Sequence, residues 1–218
     1  MVRTCRAVRK RGADVEKRSF FLAAAACACL LAVLLIGGGG AHRGGTTADE
    51  PGLLAEYHGE KVYQADVDSY CSMNRFFAGE DAELPTEQEI LTEILQNIVL
   101  LEEAQRLGYA ATQDEIDAMV ENAKQGYALS EGKALLEGYC EWAGMTMDEY
   151  FVNLEAQAPR VIARQKLLNA VGEEFCEENG LTFTKVNPPP ELVQAREDYV
   201  ADLFAKAQDA ITYYNAAG

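Results

Sequence analysis

The sequence predicts an all-α domain carried behind one N-terminal hydrophobic segment and a short extended arm, and three observations predict it. Thr86-x-x-Glu89, Thr112-x-x-Glu115 and Thr146-x-x-Glu149 are capping boxes, in which a Thr hydroxyl and a Glu carboxylate satisfy the free N–H groups of a helix start. After each box apolar residues recur at i, i+3, i+4 and i+7, the period of one helix face. No alternating stretch of comparable length argues for a sheet.

The 218 residues, 49% hydrophobic and 25% charged, allow one sizeable domain with appendages. Residues 1–40 carry seven basic side chains against Asp14 and Glu16, or +5, so a total of −16 leaves −21 on the other 178 residues. A body that acidic repels phosphate backbones, and nucleic acid is not an expected partner. Phe20–Ile36 holds no charge and Gly37–Gly40 extend it. Phe20–Gly40 therefore matches the roughly 20 helical residues that span a bilayer core. The positive-inside bias puts residues 1–19 in the cytoplasm and everything after the segment outside. Its length favours an uncleaved single-pass anchor, while Thr46-Thr47-Ala48 before Asp49 is a usable site for removal as a signal peptide, giving a secreted body. Cys27 and Cys29 sit mid-run, away from any membrane surface, which argues against lipidation. Residues 41–52, rich in Gly and Thr, read as a flexible tether.

Tyr57–Tyr63 alternates around Gly59 and reads as an extended arm, too brief for a sheet of its own. Ala65–Phe77 places Val67, Tyr70, Cys71, Asn74 and Phe77 on one helix face. The Thr86 box opens the broadest stripe, Ile90, Leu91, Ile94, Leu95, Ile98, Leu101 and Ala104, stopped by Gly108. Val99, Leu100 and Leu107 widen it nearly all round, so this helix is expected to be central. The Thr112 box opens a helix with Ile116, Met119, Val120, Ala123 and Tyr127. Ser130 is expected to cap a shorter helix with Leu135, Leu136, Tyr139 and Cys140, ended by Gly144. The Thr146 box starts a helix with Tyr150, Phe151 and Leu154 that meets Pro159. A proline in a helix interior costs about 3 kcal/mol, so a kink or a restart is expected there. Arg160–Asn179 resumes with Val161, Ile162, Leu168, Val171 and Phe175 and closes at Gly180. After a connector at Leu181–Val186, Pro188–Pro190 start a last helix, Glu191–Tyr214, striped by Leu192, Tyr199, Val200, Leu203, Ala207, Ile211 and Tyr214. Short loops imply antiparallel neighbours.

Catalytic chemistry is thinly represented. His42 in the tether and His58 in the arm are the two histidines, and no GxSxG, HExxH, P-loop or GxGxxG motif occurs. Gly79–Glu83 lacks the length and ligand pattern of an EF-hand loop. Beyond the hydrophobic segment only Cys71, Cys140 and Cys176 remain, without zinc-site spacing; at apolar helical positions they read as buried free thiols, or as one disulfide plus a spare. Neither a metal nor a cofactor is expected. The pairs Glu102-Glu103, Glu173-Glu174 and Glu177-Glu178 point about 100° apart on a helix and cannot converge. They read as solvated surface, offset in part by Arg160, Arg164 and Lys166.

Apolar side chains are the richer resource. Tyr127, Tyr139, Trp142, Met145, Met147, Tyr150 and Phe151 crowd one third of the body. Stripes at helical spacing face a core, yet flexible Met and large aromatics also suit contact with variable partners. The candidate polypeptide-binding residues are Met119, Tyr127, Tyr139, Trp142, Met145, Met147 and Tyr150. Trp142 and Met145, flanking the Gly144 stop, are expected to be half exposed.

The order of elements resembles a known family. Ala55–Asp66, reading AEYHGEKVYQAD, is similar to the opening of SurA/PrsA-type extracytoplasmic chaperones. Ile90–Gly108, ILTEILQNIVLLEEAQRLG, resembles their long apolar helix, Thr112–Ile116 the cap of the next, Thr146–Phe151 a later helix start, and Arg160–Leu168 the segment beyond it. The likeness covers residues 53–180 and implies a SurA N-terminal-like helical module that cradles unfolded or translocating polypeptides. The parvulin prolyl-isomerase domain that often follows this module has no counterpart in Leu181–Gly218, so isomerase activity is not carried over. The last helix is expected to return onto the module. The expectation is a membrane-tethered chaperone-like protein working without nucleotide or catalysis. Its rival is an adaptor that binds one folded envelope partner.

Overall fold

The computed structural model describes residues 52–78 and 83–214. The basic segment 1–19, the hydrophobic segment Phe20–Gly40 and the tether up to Pro51 lie outside the described residues. The described chain is mostly helical. Strands Leu53–Tyr57 (β1) and Glu60–Tyr63 (β2) precede helices Gln64–Ala78 (α1), Glu87–Arg106 (α2), Gln113–Ala128 (α3), Ser130–Ala143 (α4), Met147–Asn179 (α5) and Pro190–Ala207 (α6). A single 3₁₀ turn, Gln208–Ala210, leads into strand Ile211–Tyr213 (β3).

The arm is part of a small antiparallel sheet of order β2-β1-β3, which corrects the expectation of a lone extended segment. His58 and Gly59, at φ 47° and 90°, supply the two left-handed positions of a tight hairpin turn whose twist suits paired strands. The third strand comes from the opposite end of the chain. α6 stops at Ala207 rather than running to Tyr214, and Ile211 then pairs with Tyr57, Thr212 with Glu56 and Tyr213 with Ala55. Ile-Thr-Tyr is β-branched and aromatic, and β1 would otherwise present unpaired N–H and C=O groups at an open edge. Pairing satisfies both, and Tyr214 adds its backbone N–H to Leu54 O at 2.8 Å.

All three capping boxes form as their residues dictate, with Thr86, Thr112 and Thr146 at the N-caps of α2, α3 and α5. Ser130, by contrast, falls inside α4: the N-cap is Leu129, which offers no side-chain hydrogen bond. Gly144 and Gly180 end α4 and α5 in the left-handed region. Pro159 neither ends nor restarts its helix, since α5 runs unbroken through it. Both Pro159 and Glu155, whose carbonyl loses its partner, are exposed, so water can satisfy the orphaned group.

α2 lies at the centre, touching α1, α5, α6 and both hairpin strands. The larger core joins Ala55, Tyr57 and Val62 of the hairpin to Tyr70 and Met73 of α1, Ile90, Leu91, Ile94 and Leu95 of α2, Tyr139 of α4 and Leu154 of α5. A smaller one joins Leu100 and Ala104 of α2 to Ala163 and Leu167 of α5, covered by Tyr199, Val200 and Leu203 of α6. α5 and α6 approach closely at Gly172, where a Cβ would come within 2.9 Å of Arg196 Nε and Leu192 Cδ1. The space lets Arg196 donate to Leu168 O at 3.0 Å and Asn169 Oδ1 at 3.1 Å. Cys140 and Cys176 are buried free thiols and Cys71 is a half-buried one. Among the described residues no helix is long and apolar enough to cross a membrane.

Candidate functional site

The aromatic side chains converge from four helices. Phe76 and Phe77 end α1, Tyr139 and Trp142 lie one turn apart near the end of α4, Tyr150 and Phe151 open α5, and Tyr127 closes α3. Tyr139 is the hub, with the rings of Phe76, Phe77, Trp142 and Tyr150 centred 5.7, 5.7, 5.9 and 6.4 Å away. Offset and edge-on pairs of this kind contribute about 0.5–1.5 kcal/mol each beyond burial.

That hub is sealed. Tyr139 and Tyr150, both among the candidate binding residues, are each 1% exposed and lie in the core. Their spacing placed them on inward faces, and aromatic bulk alone does not distinguish core from surface. Met119, Tyr127, Met145 and Met147 are half-buried and packed against the same core. Trp142 is the open one, 46% exposed while its ring leans on Phe76 at 5.5 Å. Two apolar side chains missed in the sequence are more open still, Leu129 at 67% in the α3–α4 joint and Val152 at 65% beside Phe151. Both fall off the helical stripes, and that is the signal that would have found them. Around them Tyr127 donates to Glu137 at 3.1 Å, and Lys124 Nζ lies 5.7 Å over the Phe151 ring.

A second site is polar. A cleft of about 220 Å³ opens between the hairpin turn, α2 and the middle of α5, lined by His58, Glu60, Asn97, Glu102, Arg160 and Arg164 among others. The left-handed turn aims the His58 ring at α2, where Nδ1 lies 2.9 Å from Glu102 Oε2, while the ring stacks on Tyr57 at 4.2 Å. Burial, and then the Glu102 charge, raise the Tyr57 phenol above its ordinary pKa. Arg160 reaches Glu60 at 3.4 Å.

Arg164 stands apart. It is 8% exposed, and burial followed by the neighbouring Arg160 charge lowers its pKa to about 10, which still leaves the guanidinium charged at neutral pH. The nearby Tyr70 phenol, raised by burial, donates to Glu93. The cation trio read from the sequence as surface compensation is thus split: Arg164 is buried in the cleft and Lys166 pairs with Glu115 at 2.6 Å. The acidic pairs diverge as helix geometry requires, Glu102 toward His58 and Glu103 toward Arg106 at 2.6 Å. Among the described residues no group of three or more His, Cys, Asp or Glu is placed to hold a metal ion.

No protein-family model, no curated protein and no solved structure matches this chain.

Proposed function

We propose that this chain is a membrane-tethered, extracytoplasmic chaperone-like protein that holds unfolded or secreted polypeptides through apolar contacts, without nucleotide or catalysis. The supporting observation is the set of large apolar side chains left open on the module: Trp142 at the end of α4, leaning on Phe76, Leu129 at the start of α4 and Val152 near the start of α5, with Met145, Met147 and Phe151 half-buried against the core. Large exposed apolar side chains attract non-polar chain segments, and Met and aromatic groups adapt to varied ones. The acidic body repels other copies and keeps a loaded complex soluble. The likeness to SurA/PrsA-type modules supports the same reading: a long central helix and capped helices follow one another in the expected order, and a last helix lies back on α2 and α5. Tethering outside the cytoplasm rests on Phe20–Gly40 and the basic residues before it.

The sealing of Tyr139 and Tyr150 narrows the open surface and favours one rival, an adaptor with a single folded partner. Photo-crosslinking from residues substituted at Trp142 and Val152 in intact cells separates the two. A holdase yields adducts with many secreted or envelope proteins. One dominant adduct identifies an adaptor and rejects the chaperone reading.

A further inference from the structure

We propose that the cleft between the hairpin turn, α2 and the middle of α5 binds a single carboxylate group, received by Arg164 and Arg160. A buried arginine is ordinarily paired with a carboxylate, because an uncompensated charge away from water is costly. Among the described residues Arg164 forms no ion pair and no side-chain hydrogen bond. No buried side-chain nitrogen or oxygen of the described residues is both sealed from solvent and without a partner. The guanidinium nitrogens of Arg164 therefore keep their residual access, and the opening they line is this cleft.

The other polar groups of the lining are already engaged. His58 Nδ1 lies 2.9 Å from Glu102 and Arg160 faces Glu60 at 3.4 Å, and neither of these two carboxylates pairs with Arg164. The Arg160–Glu60 contact is long and part-exposed, so an incoming anion can share Arg160 at little cost. Arg160 and Arg164 are four residues apart on α5 and so point to the same side. A planar guanidinium fork matches a carboxylate with two parallel hydrogen bonds. Asn97 and Gln105 of α2 add neutral amide groups at the rim.

The charge balance also selects against other anions. Glu60 and Glu102 sit in the same lining and the whole chain carries −16, so a second negative charge on the ligand meets repulsion. A monoanion is favoured over a phosphate dianion. A cleft of about 220 Å³ falls below the roughly 300 Å³ where small-molecule pockets begin, and suits the end of a larger ligand or a very small one. The carboxylate can come from a polypeptide C-terminus or from a free small acid.

Titration of the full chain by NMR distinguishes these sources. The probes are N-acetylated trialanine with a free C-terminal carboxylate, the same peptide as its C-terminal amide, sodium acetate and inorganic phosphate. The free-acid peptide is expected to bind at least tenfold more tightly than the amide. Tighter binding of the acid peptide than of acetate assigns a chain terminus, and equal binding assigns a small acid. Arg164→Met is expected to weaken binding at least tenfold. Arg160→Gln, at a half-exposed position, is expected to weaken it severalfold and keeps the test decisive should the buried variant fail to fold. Equal binding of acid and amide, phosphate as the tightest probe, unchanged affinity in both variants, or no saturable shift up to about 10 mM, where a millimolar site is filled, would overturn the assignment. The inference stands apart from the polypeptide-binding reading, which depends on the Trp142 surface: carboxylate binding without aggregation suppression leaves it intact.

Discussion

The Lys166 ammonium donates to Glu115 Oε2 at 2.6 Å, and the same oxygen accepts the Thr112 backbone N–H at 2.8 Å, so one carboxylate both caps α3 and ties it to α5. Glu89 and Glu149 cap α2 and α5 in the same manner without a lysine. All three carboxyls are held below their ordinary pKa, Glu115 chiefly by Lys166, Glu89 and Glu149 chiefly by the Thr backbone N–H. A carboxyl whose pKa is lowered by folding contributes stability that is fully present above the unfolded value, about 4.3, and is lost as pH falls through the folded one. The Tm is therefore expected to drop on acidification below about pH 4.3, and to drop less in E89Q/E115Q/E149Q, which keeps the capping geometry without the charge. Identical acid profiles for the two proteins would contradict this.

Each capping Thr is itself a measurable contribution. Replacing Thr86, Thr112 or Thr146 by Ala is expected to cost about 1 kcal/mol, read as a fall in Tm of about 2–4 °C for a domain of this size. No change at any of the three would mean that the boxes are dispensable.

β3 closes the sheet with residues from the far end of the chain, and Ile211 fills the core beside its partner Tyr57. Ile211→Ala is expected to cost about 2–4 kcal/mol in urea unfolding, through lost burial and the cavity left behind. Amides of β1 should then exchange faster, since their outer edge opens. Unaltered exchange would show that β3 is not what holds that edge.

Arg164 is proposed to serve binding at the expense of stability. Without a bound carboxylate, Arg164→Met is expected to raise stability by about 1–3 kcal/mol, because a similar-sized apolar side chain replaces a charge with no partner. A large loss of stability instead would identify Arg164 as a structural group.

Much of the fold was legible because its signals are local. A capping box needs only two residues three apart, and the stripe of α2 announces a helix buried on most sides. What was not legible depends on distant parts of the chain. Ile211 and Tyr214 fit the stripe of α6 as well as they fit a strand, and only the open edge of β1 decides between them. Pro159 is tolerated because it faces water, a property of the assembled helix rather than of its sequence. At the candidate surface, spacing marked Tyr139 and Tyr150 as helical-face aromatics without showing which of them a neighbouring helix covers, while Trp142 was correctly placed as half exposed. The polar cleft escaped notice because His58, Glu102 and Arg164 are scattered through the sequence, and each alone resembles ordinary surface charge.

The most direct test of the central claim is light scattering from a reduced, unfolded secreted protein, diluted into buffer with the purified full chain or its Trp142→Ser/Val152→Ser variant. Suppression of aggregation at a near-equimolar ratio, weakened severalfold in the variant at a temperature well below the Tm of both proteins, is the expected result. Undiminished aggregation at severalfold excess of the parent chain, or equal suppression by the variant, would contradict it.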